Sequence, residues 1–455
     1  MNTFVLAARN VRKSMKDYGV YFLTIVIGVA MFYVFNSVQS QGDMLNLTKN
    51  QTMSLLGLGW IMSYLTVFIS AILGFLIVYA NAFLVRRRKK ELGIYMILGM
   101  KKGKISRVLV AETVLVGLVS LLVGLIVGVL ASQGCALLTA KLYGASLKGF
   151  VFIFSASALW KSVIYFGIAF VVVMVFNTVN IRRQALVDLI YADKKVSQFR
   201  VPRFGLSVML FVVSLMMLAA AYYLALSGQF FPMNGLSSVA MILGIVGTLL
   251  FFYTFSGFFL KLFSKARGVY FKGLNMFTLG QLNSKMNTAH ISMSLVCLML
   301  FIAISAVSVG SALTGSIQSD PSERGTAATV TYVTFYIGIV FILTCASVLA
   351  IAQLSETSDN RTRYRLLSEL GAGEKMLTGS LCKQIALYFA LPLLLAIVHS
   401  VVAIVLMSTF IAQVGNINIL TTCLTSGLMI IALYGGYFLL TFFSARRIMI
   451  QRRGA

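Results

Sequence analysis

The sequence predicts an all-α polytopic membrane protein of about ten transmembrane helices, arranged as two parallel four-helix repeats with an inserted helix pair. Three observations lead there. Hydrophobic residues make up 59% of the chain and charged residues 11%, with a mean hydropathy of +0.92, a balance foreign to soluble globular domains. Ten segments hold the roughly 20 mainly apolar residues needed to cross a hydrocarbon core. A basic stretch with a Leu-Gly centre occurs twice, 272 positions apart.

The spans run approximately over 18–38, 55–85, 108–138, 162–181, 204–227, 236–262, 288–313, 329–353, 382–411 and 420–445. Several exceed the minimum, which implies tilt or extension beyond the bilayer. Charge sets the orientation. With the N-terminus inside, only Lys49, Lys141, Lys148, Lys161 and Arg324 face out, and 33 of the 38 Lys and Arg residues face in. Both termini are therefore expected to be cytoplasmic. No cleavable signal peptide is expected, because the first apolar run begins near Tyr18 and no small-residue cleavage site follows it. The net charge of +26 does not argue for nucleic acid, since the cations lie beside spans, where the inner membrane face accounts for them.

The repeated stretch is first seen from Arg86 to Arg107, RRRKKELGIYMILGMKKGKISR. Five cations and Glu91 precede an apolar centre; Lys101, Lys102, Lys104 and Arg107 close it. As a helix it places Leu92, Tyr95, Met96 and Gly99 on one face at i, i+3, i+4 and i+7. A short surface helix with an apolar knob between cations suits docking into another protein's groove. An ordinary positive-inside loop is the competing reading. The second copy, RTRYRLLSELGAGEKML over 361–377, favours the first. Leu98-Gly99-Met100 aligns with Leu370-Gly371-Ala372, and at the same offset Glu112 meets Gln384. Close to that offset Asn10-Val11-Arg12 meets Asn283-Ser284-Lys285. The divisions are then 1–181 for the first four-span half, 182–262 for a linker helix with spans five and six, and 263–455 for the second half. Equivalent positions are six spans apart, so the halves point the same way, unlike the inverted repeats of many ion-coupled carriers.

Smaller features follow. Gly124 and Gly128 form a GxxxG, which either permits a close helix contact or is background glycine. Pro392 is placed to kink span nine. The linker 182–203 reads as an amphipathic surface helix ending before Pro202. Cys135, Cys297, Cys345, Cys382 and Cys423 lack CxxC spacing and read as small buried hydrophobes, with no disulfide framework or zinc site.

Catalytic chemistry is not visible. Glu112 and Lys383 lie near cytoplasmic span ends, and His399 is the interior candidate, read as packed or snorkelling rather than as a proton relay. A P-loop would need glycine at Leu98 and Ser or Thr at Ile105, so the phosphate cradle fails twice. HExxH and GxSxG are absent from the sequence. No catalytic, cofactor or metal residues are expected, and a partner must supply any energy.

The paired stretches, with ELGIYMILGM in one half and LLSELGAGEKM in the other, resemble the cytoplasmic coupling regions of FtsX-like ABC transporter permeases. The start LAARNVRKSMKDYGVYFLT, the ten-span order and KGLNMFTLGQLNSKMNT before span seven are similar to the bacitracin-resistance (Bce-type) subfamily. The resemblance implies a permease in the bacterial cytoplasmic membrane, moved by a separate cytoplasmic ATPase dimer and acting at the outer face in antimicrobial-peptide resistance and sensing. It implies ATPase contacts at Glu91, Gly93, Tyr95, Gly99 and Met100 in one half and at Glu369, Leu370, Gly371 and Ala372 in the other. A sensor histidine kinase, membrane lipid and a peptide antibiotic or its lipid-linked target are the further partners it suggests. The family usually has a large extracellular domain between spans seven and eight. Here Thr314 to Ala328 is too short for one, so this is either a minimal member or a chain without that domain. Two other readings stay open: a signalling scaffold that reports ATPase flux to a kinase, and an ion-coupled secondary transporter.

Overall fold

The computed structural model describes residues 3–13, 15–37, 40, 45–46, 63, 65–81, 85, 89–143, 146–147, 152, 154–183, 204–227, 235–265, 267–316, 324–411 and 419–450. The predicted linker helix over 182–203 lies almost wholly outside them, as do Arg86, Arg87 and Arg88.

The described chain is nearly all helix. In order it forms α1 (Thr3–Lys13), α2 (Met15–Asn36), α3 (Leu65–Asn81), α4 (Lys89–Ile97), α5 (Lys102–Tyr143), α6 (Ala156–Arg183), α7 (Phe204–Leu226) and α8 (Gly235–Lys265). Then come α9 (Arg267–Tyr270), α10 (Asn275–Ser316), α11 (Arg324–Asp359), α12 (Arg361–Glu369), α13 (Glu374–Ile411), α14 (Ile419–Ile430) and, after a π-turn over Ile431–Gly435, α15 (Gly436–Ile450). Among the described residues eight helical stretches are long and apolar enough to cross a membrane, and two shorter apolar helices, Phe22–Asn36 and Leu65–Asn81, occupy the first two predicted spans. The chain is a multi-pass membrane protein. One feature had no signal in the sequence: Leu45–Asn46 (β1) pairs antiparallel with Ser146–Leu147 (β2), too short for any alternation to betray it.

The chain divides into two compact units, Met1–Val196 with Leu313–Val340, and Ser197–Ala312 with Phe341–Ala455. In the first unit, α5 is 42 residues long, about 63 Å at helical rise, and so outruns the bilayer core. Its exposed residues Leu118, Leu122, Ile126 and Leu130 recur every fourth position and form an apolar outer stripe suited to lipid. The GxxxG is a real contact. A Cβ on Gly124 would stand 2.7 Å from Val29 Cβ, and one on Gly128 would stand 3.1 Å from Ala30 Cα, so α2 crosses α5 backbone to backbone. Buried amides add to the packing: Asn81 Nδ2 donates to Asn177 Oδ1 at 2.6 Å, and Asn177 Nδ2 to Thr113 Oγ1 at 3.3 Å.

In the second unit α7 packs on α8 along their length, Leu218 lying over Gly247. His399 of α13 joins this pair. Its Nδ1 shares a hydrogen bond with the Tyr222 hydroxyl and its Nε2 one with Thr248 Oγ1 at 3.0 Å, while Phe301 presents a ring edge at 5.7 Å. It is a packed histidine, with both ring nitrogens engaged. Pro392 removes an N–H from α13 and crowds the carbonyls of the turn before it. Tyr434, within the π-turn, donates to Phe389 O at 2.8 Å, satisfying a carbonyl of that turn from a neighbouring helix. Cys297 and Cys345 are buried as expected, Cys135 and Cys382 are half-buried, and Cys423 is exposed on α14.

Candidate functional site

The site is a turn that occurs once in each unit. In the first, α4 ends at Ile97 and the chain reverses through Leu98, Gly99 and Met100 before α5 begins. Gly99 has φ +85°, a left-handed conformation in which any Cβ is strained, although the space around it is open. The Gly99 amide donates to Met96 O at 3.0 Å and the Met100 amide to Tyr95 O at 2.9 Å, the paired bonds of a Schellman helix stop.

The second turn has the same construction at an offset of 272. Gly371 has φ +94°, its amide donates to Ser368 O at 3.0 Å, and the Ala372 amide donates to Leu367 O at 3.0 Å. The helices before the turns, Lys89–Ile97 and Arg361–Glu369, and the starts of those after, Lys102 and Glu374, keep the offset to the residue. The buried supports keep it as well. Val85, Leu92, Ile105 and Leu109 form an apolar cluster, and their counterparts Thr357, Tyr364, Leu377 and Leu381 are all buried.

What each turn shows to solvent is apolar. Leu98 is 74% exposed and Leu370 83%, and one turn of helix earlier Ile94 and Leu366 are exposed by 54% and 53%. Spacing of four residues puts each pair on one side of its helix. The arrangement sorts the sequence-predicted residues. Gly99, Gly371 and Leu370 lie at the exposed tips. Glu91 is exposed on the first turn of α4, where a carboxylate suits the helix dipole, and Glu369 is exposed and paired with Arg365 at 2.8 Å. Gly93 is buried; Tyr95, Met100 and Ala372 are half-buried, Tyr95 and Met100 packing onto the apolar cluster with Met96. The face Leu92–Tyr95–Met96 thus turns inward, and Ile94, Ile97 and Leu98 turn outward. Periodicity placed Leu92, Tyr95, Met96 and Gly99 on one apolar face suited to docking; in the structure that face, Gly99 apart, packs onto the protein, because its side chains complete the apolar cluster with Ile105 and Leu109.

The beds beneath the turns differ. Under the first, Asn10 of α1 donates Nδ2 to Oε1 of buried Glu112 at 2.8 Å. Under the second, Tyr364 donates its hydroxyl to Gln384 Oε1 at 3.1 Å, and Thr278 shares a bond with Ser380 at 2.7 Å. Burial pushes the Tyr364 phenol up to about 12, with Glu356 adding to the rise and a side-chain bond to Ser380 opposing it. Glu112 and Gln384, aligned by sequence register, each tie down the structure behind their own turn.

Residues 63–187, which include the first turn, match the family described as FtsX-like permease C-terminal. The chain is similar to the bacitracin export permease protein BceB of Bacillus subtilis, 26% identical over 322 residues, 68% of this chain and 48% of that protein. It is also similar to BceB of Halalkalibacterium halodurans, 24% identical over 315 residues, 67% of this chain and 47% of that one. A third relative is the uncharacterized ABC transporter permease YvcS of Bacillus subtilis, 25% identical over 276 residues, 61% of this chain and 42% of that one. The chain spans about half the length of the curated relatives it matches. Residues 63–187 are thus similar to an FtsX-like permease domain, and the chain is similar to bacitracin export permeases at modest identity.

Proposed function

We propose that this FtsX-like chain is the membrane subunit of an ABC transporter and that its two Leu-Gly turns dock cytoplasmic ATPase subunits, two to a chain. One observation carries the reading: the leucines most exposed in each unit's turn, Leu98 and Leu370, stand at equivalent places on two Schellman stops with the same hydrogen bonds. A large apolar side chain held in water on a fixed turn is an anchor awaiting a pocket. Repetition at an offset of 272 suits two pockets on a paired partner. The positive-inside count and the even number of spans between the copies support cytoplasmic termini and two cytoplasmic turns.

In this reading the chain hydrolyses nothing itself. ATP-driven movement of the partner pushes on Leu98 and Leu370, α4 and α12 pass it to the long spans that follow, and the outer face responds. The two repeats, 1–181 and 263–455, each take one ATPase, with spans five and six inserted between them. The relatives named for bacitracin export support a role in resistance to peptide antibiotics. α10 ends at Ser316 and α11 begins at Arg324, so substrate work in this chain falls to the membrane part.

The test is co-purification with the ATPase in detergent. Leu98→Asp and Leu370→Asp are each expected to weaken capture by about tenfold or more, since each removes one apolar anchor and desolvates a charge in its place. Correct insertion is checked by unchanged size-exclusion behaviour. Wild-type capture retained in both variants contradicts the docking role.

A further inference from the structure

In the second unit a buried histidine joins the inserted pair α7–α8 to α13, and the direction of each hydrogen bond around it follows from counting protons. Thr248 is fully buried, and its hydroxyl donates to Gly244 O of its own helix at 2.7 Å. A hydroxyl has one proton, so toward His399 the Thr248 Oγ1 accepts, at 3.0 Å, and Nε2 is the protonated ring nitrogen. The helices that meet the ring, α7, α8 and α10, and α13 itself hold one acidic residue, Glu374, 25 positions before His399. An imidazolium there would lack a counter-charge in the membrane interior, so the ring is neutral and Nδ1 accepts from the Tyr222 hydroxyl. The chain of bonds runs from Tyr222 through His399 and Thr248 to Gly244 O. It ends on a backbone carbonyl, which passes no proton on. This is a fastener and not a relay.

Helices in lipid gain little from apolar contact alone, because acyl chains are as apolar as leucine; polar bonds that cross between helices select which neighbours stay together. Other hydroxyls of the inserted pair are used within their own helices: Ser214 donates to Phe211 O at 2.7 Å and Thr254 to Leu250 O at 2.8 Å. Tyr222 and Thr248, one from each helix of the pair, reach the same ring. That ring belongs to the helix that leaves the second turn, and it stands about 38 Å along the axis from Glu374. Pro392 lies on the way, and the Tyr434 hydroxyl braces the turn before it at Phe389 O. The first half has no such attachment. At the offset of 272, His399 corresponds to Val127 of α5, which is apolar and 44% exposed. The repeat itself does not call for a polar residue at this place, so the histidine goes with the inserted pair.

We propose that His399 is a positioning residue that clasps α7 and α8 to α13, so that the inserted pair moves with the second turn and not with the first. The inference rests on the docking role proposed above for the source of the motion. The clasp gives spans five and six a mechanical allegiance that the two-fold repeat alone leaves open.

The test uses the full chain with its ATPase in detergent, the native cysteines replaced and spin labels placed at Ile242 of α8 and Val401 of α13, both exposed. The distance between the labels is measured without nucleotide and with ATP trapped by vanadate. In wild type it is expected to stay the same. His399→Phe keeps a ring but has neither donor nor acceptor; it is expected to match wild type without nucleotide and to shift by more than the wild-type width with ATP. His399→Gln keeps one donor and one acceptor and is expected to restore the constant distance. Nitrogen-15 spectra should show His399 as the Nε2–H tautomer, assigned by removing the other histidine with His290→Asn. A constant distance in His399→Phe with the ATPase bound, an ATP-dependent distance in wild type, or the Nδ1–H tautomer overturns the clasp and leaves docking standing. A distance already altered in His399→Phe without nucleotide, and unchanged by ATP, assigns the ring to folding alone and also overturns it. If Leu370→Asp captures the ATPase as wild type does, the docking role falls and the proposal falls with it.

Discussion

The two turns share a backbone and differ in what lies under it. Gly99 and Gly371 adopt the same left-handed conformation, close the same pair of hydrogen bonds and present leucine in the same place. Beneath them Leu92 sits in an aliphatic cluster, whereas its counterpart Tyr364 sits in a hydrogen-bonded one with Gln384. The left-handed glycine and its paired helix-stop bonds account for the first fact. The second shows that the tip can be held by either kind of bed. Apolar packing tolerates small movements because it is non-directional. A polar network is tied to a particular geometry, and loses more when that geometry slips. The first turn thus rests mainly on apolar packing and the second adds a polar network, which Asn360, Gln281 and Arg363 extend.

Substitutions can break this comparison or sharpen it. The largest effect is expected from the apolar bed: Leu92→Ala removes a side chain that is 1% exposed and should cost about 2–5 kcal/mol of local stability, read as faster amide exchange through α4. Next, Gly99→Val and Gly371→Val should cost about 1–2 kcal/mol each and by similar amounts, because the φ rather than the surroundings sets the penalty. Unequal costs in exchange experiments would show that the tips are not equivalent. Tyr364→Phe strips one hydrogen bond from buried Gln384 and should cost about 1 kcal/mol in the second unit alone.

Tyr364 also gives the second turn a pH signature. Its folded phenol is raised from 10.0 to about 12, so the contribution is complete below pH 10 and is lost as pH rises from 10 through 12. Tyrosinate absorbance of wild type minus Tyr364→Phe should titrate in that window; titration of the difference below pH 10 would disprove the buried phenol. The smallest effect belongs to the exposed pair Arg365–Glu369, whose removal by Arg365→Ala should change stability by no more than about 0.5 kcal/mol and leave the turn intact.

The sequence exposed these turns because glycine in a left-handed stop has few substitutes, so Gly99 and Gly371 announced themselves by position, and register then led to Glu112 and Gln384. The eight long apolar helices among the described residues were equally plain from length and hydropathy. Other parts left no trace. Leu92 and Leu98 are both leucines in one short helix, and nothing local says that the first is covered and the second bare. Gln281 meets Asn360 only through the fold, 79 positions away, with no spacing to connect them, whereas Asn360 and Arg363 are local neighbours. The β1–β2 pair and the Tyr434–Phe389 bond have the same origin in tertiary contact.

The most direct test of the docking account is proximity. A photo-crosslinking amino acid is placed in turn at 98, at 370 and, as a control at the opposite end of a span, at Trp160, and the membrane complex is irradiated with its ATPase present. Crosslinks to the ATPase from 98 and 370, and none from 160, are the predicted result. Crosslinks from neither turn, in a complex that still contains the ATPase, would contradict it.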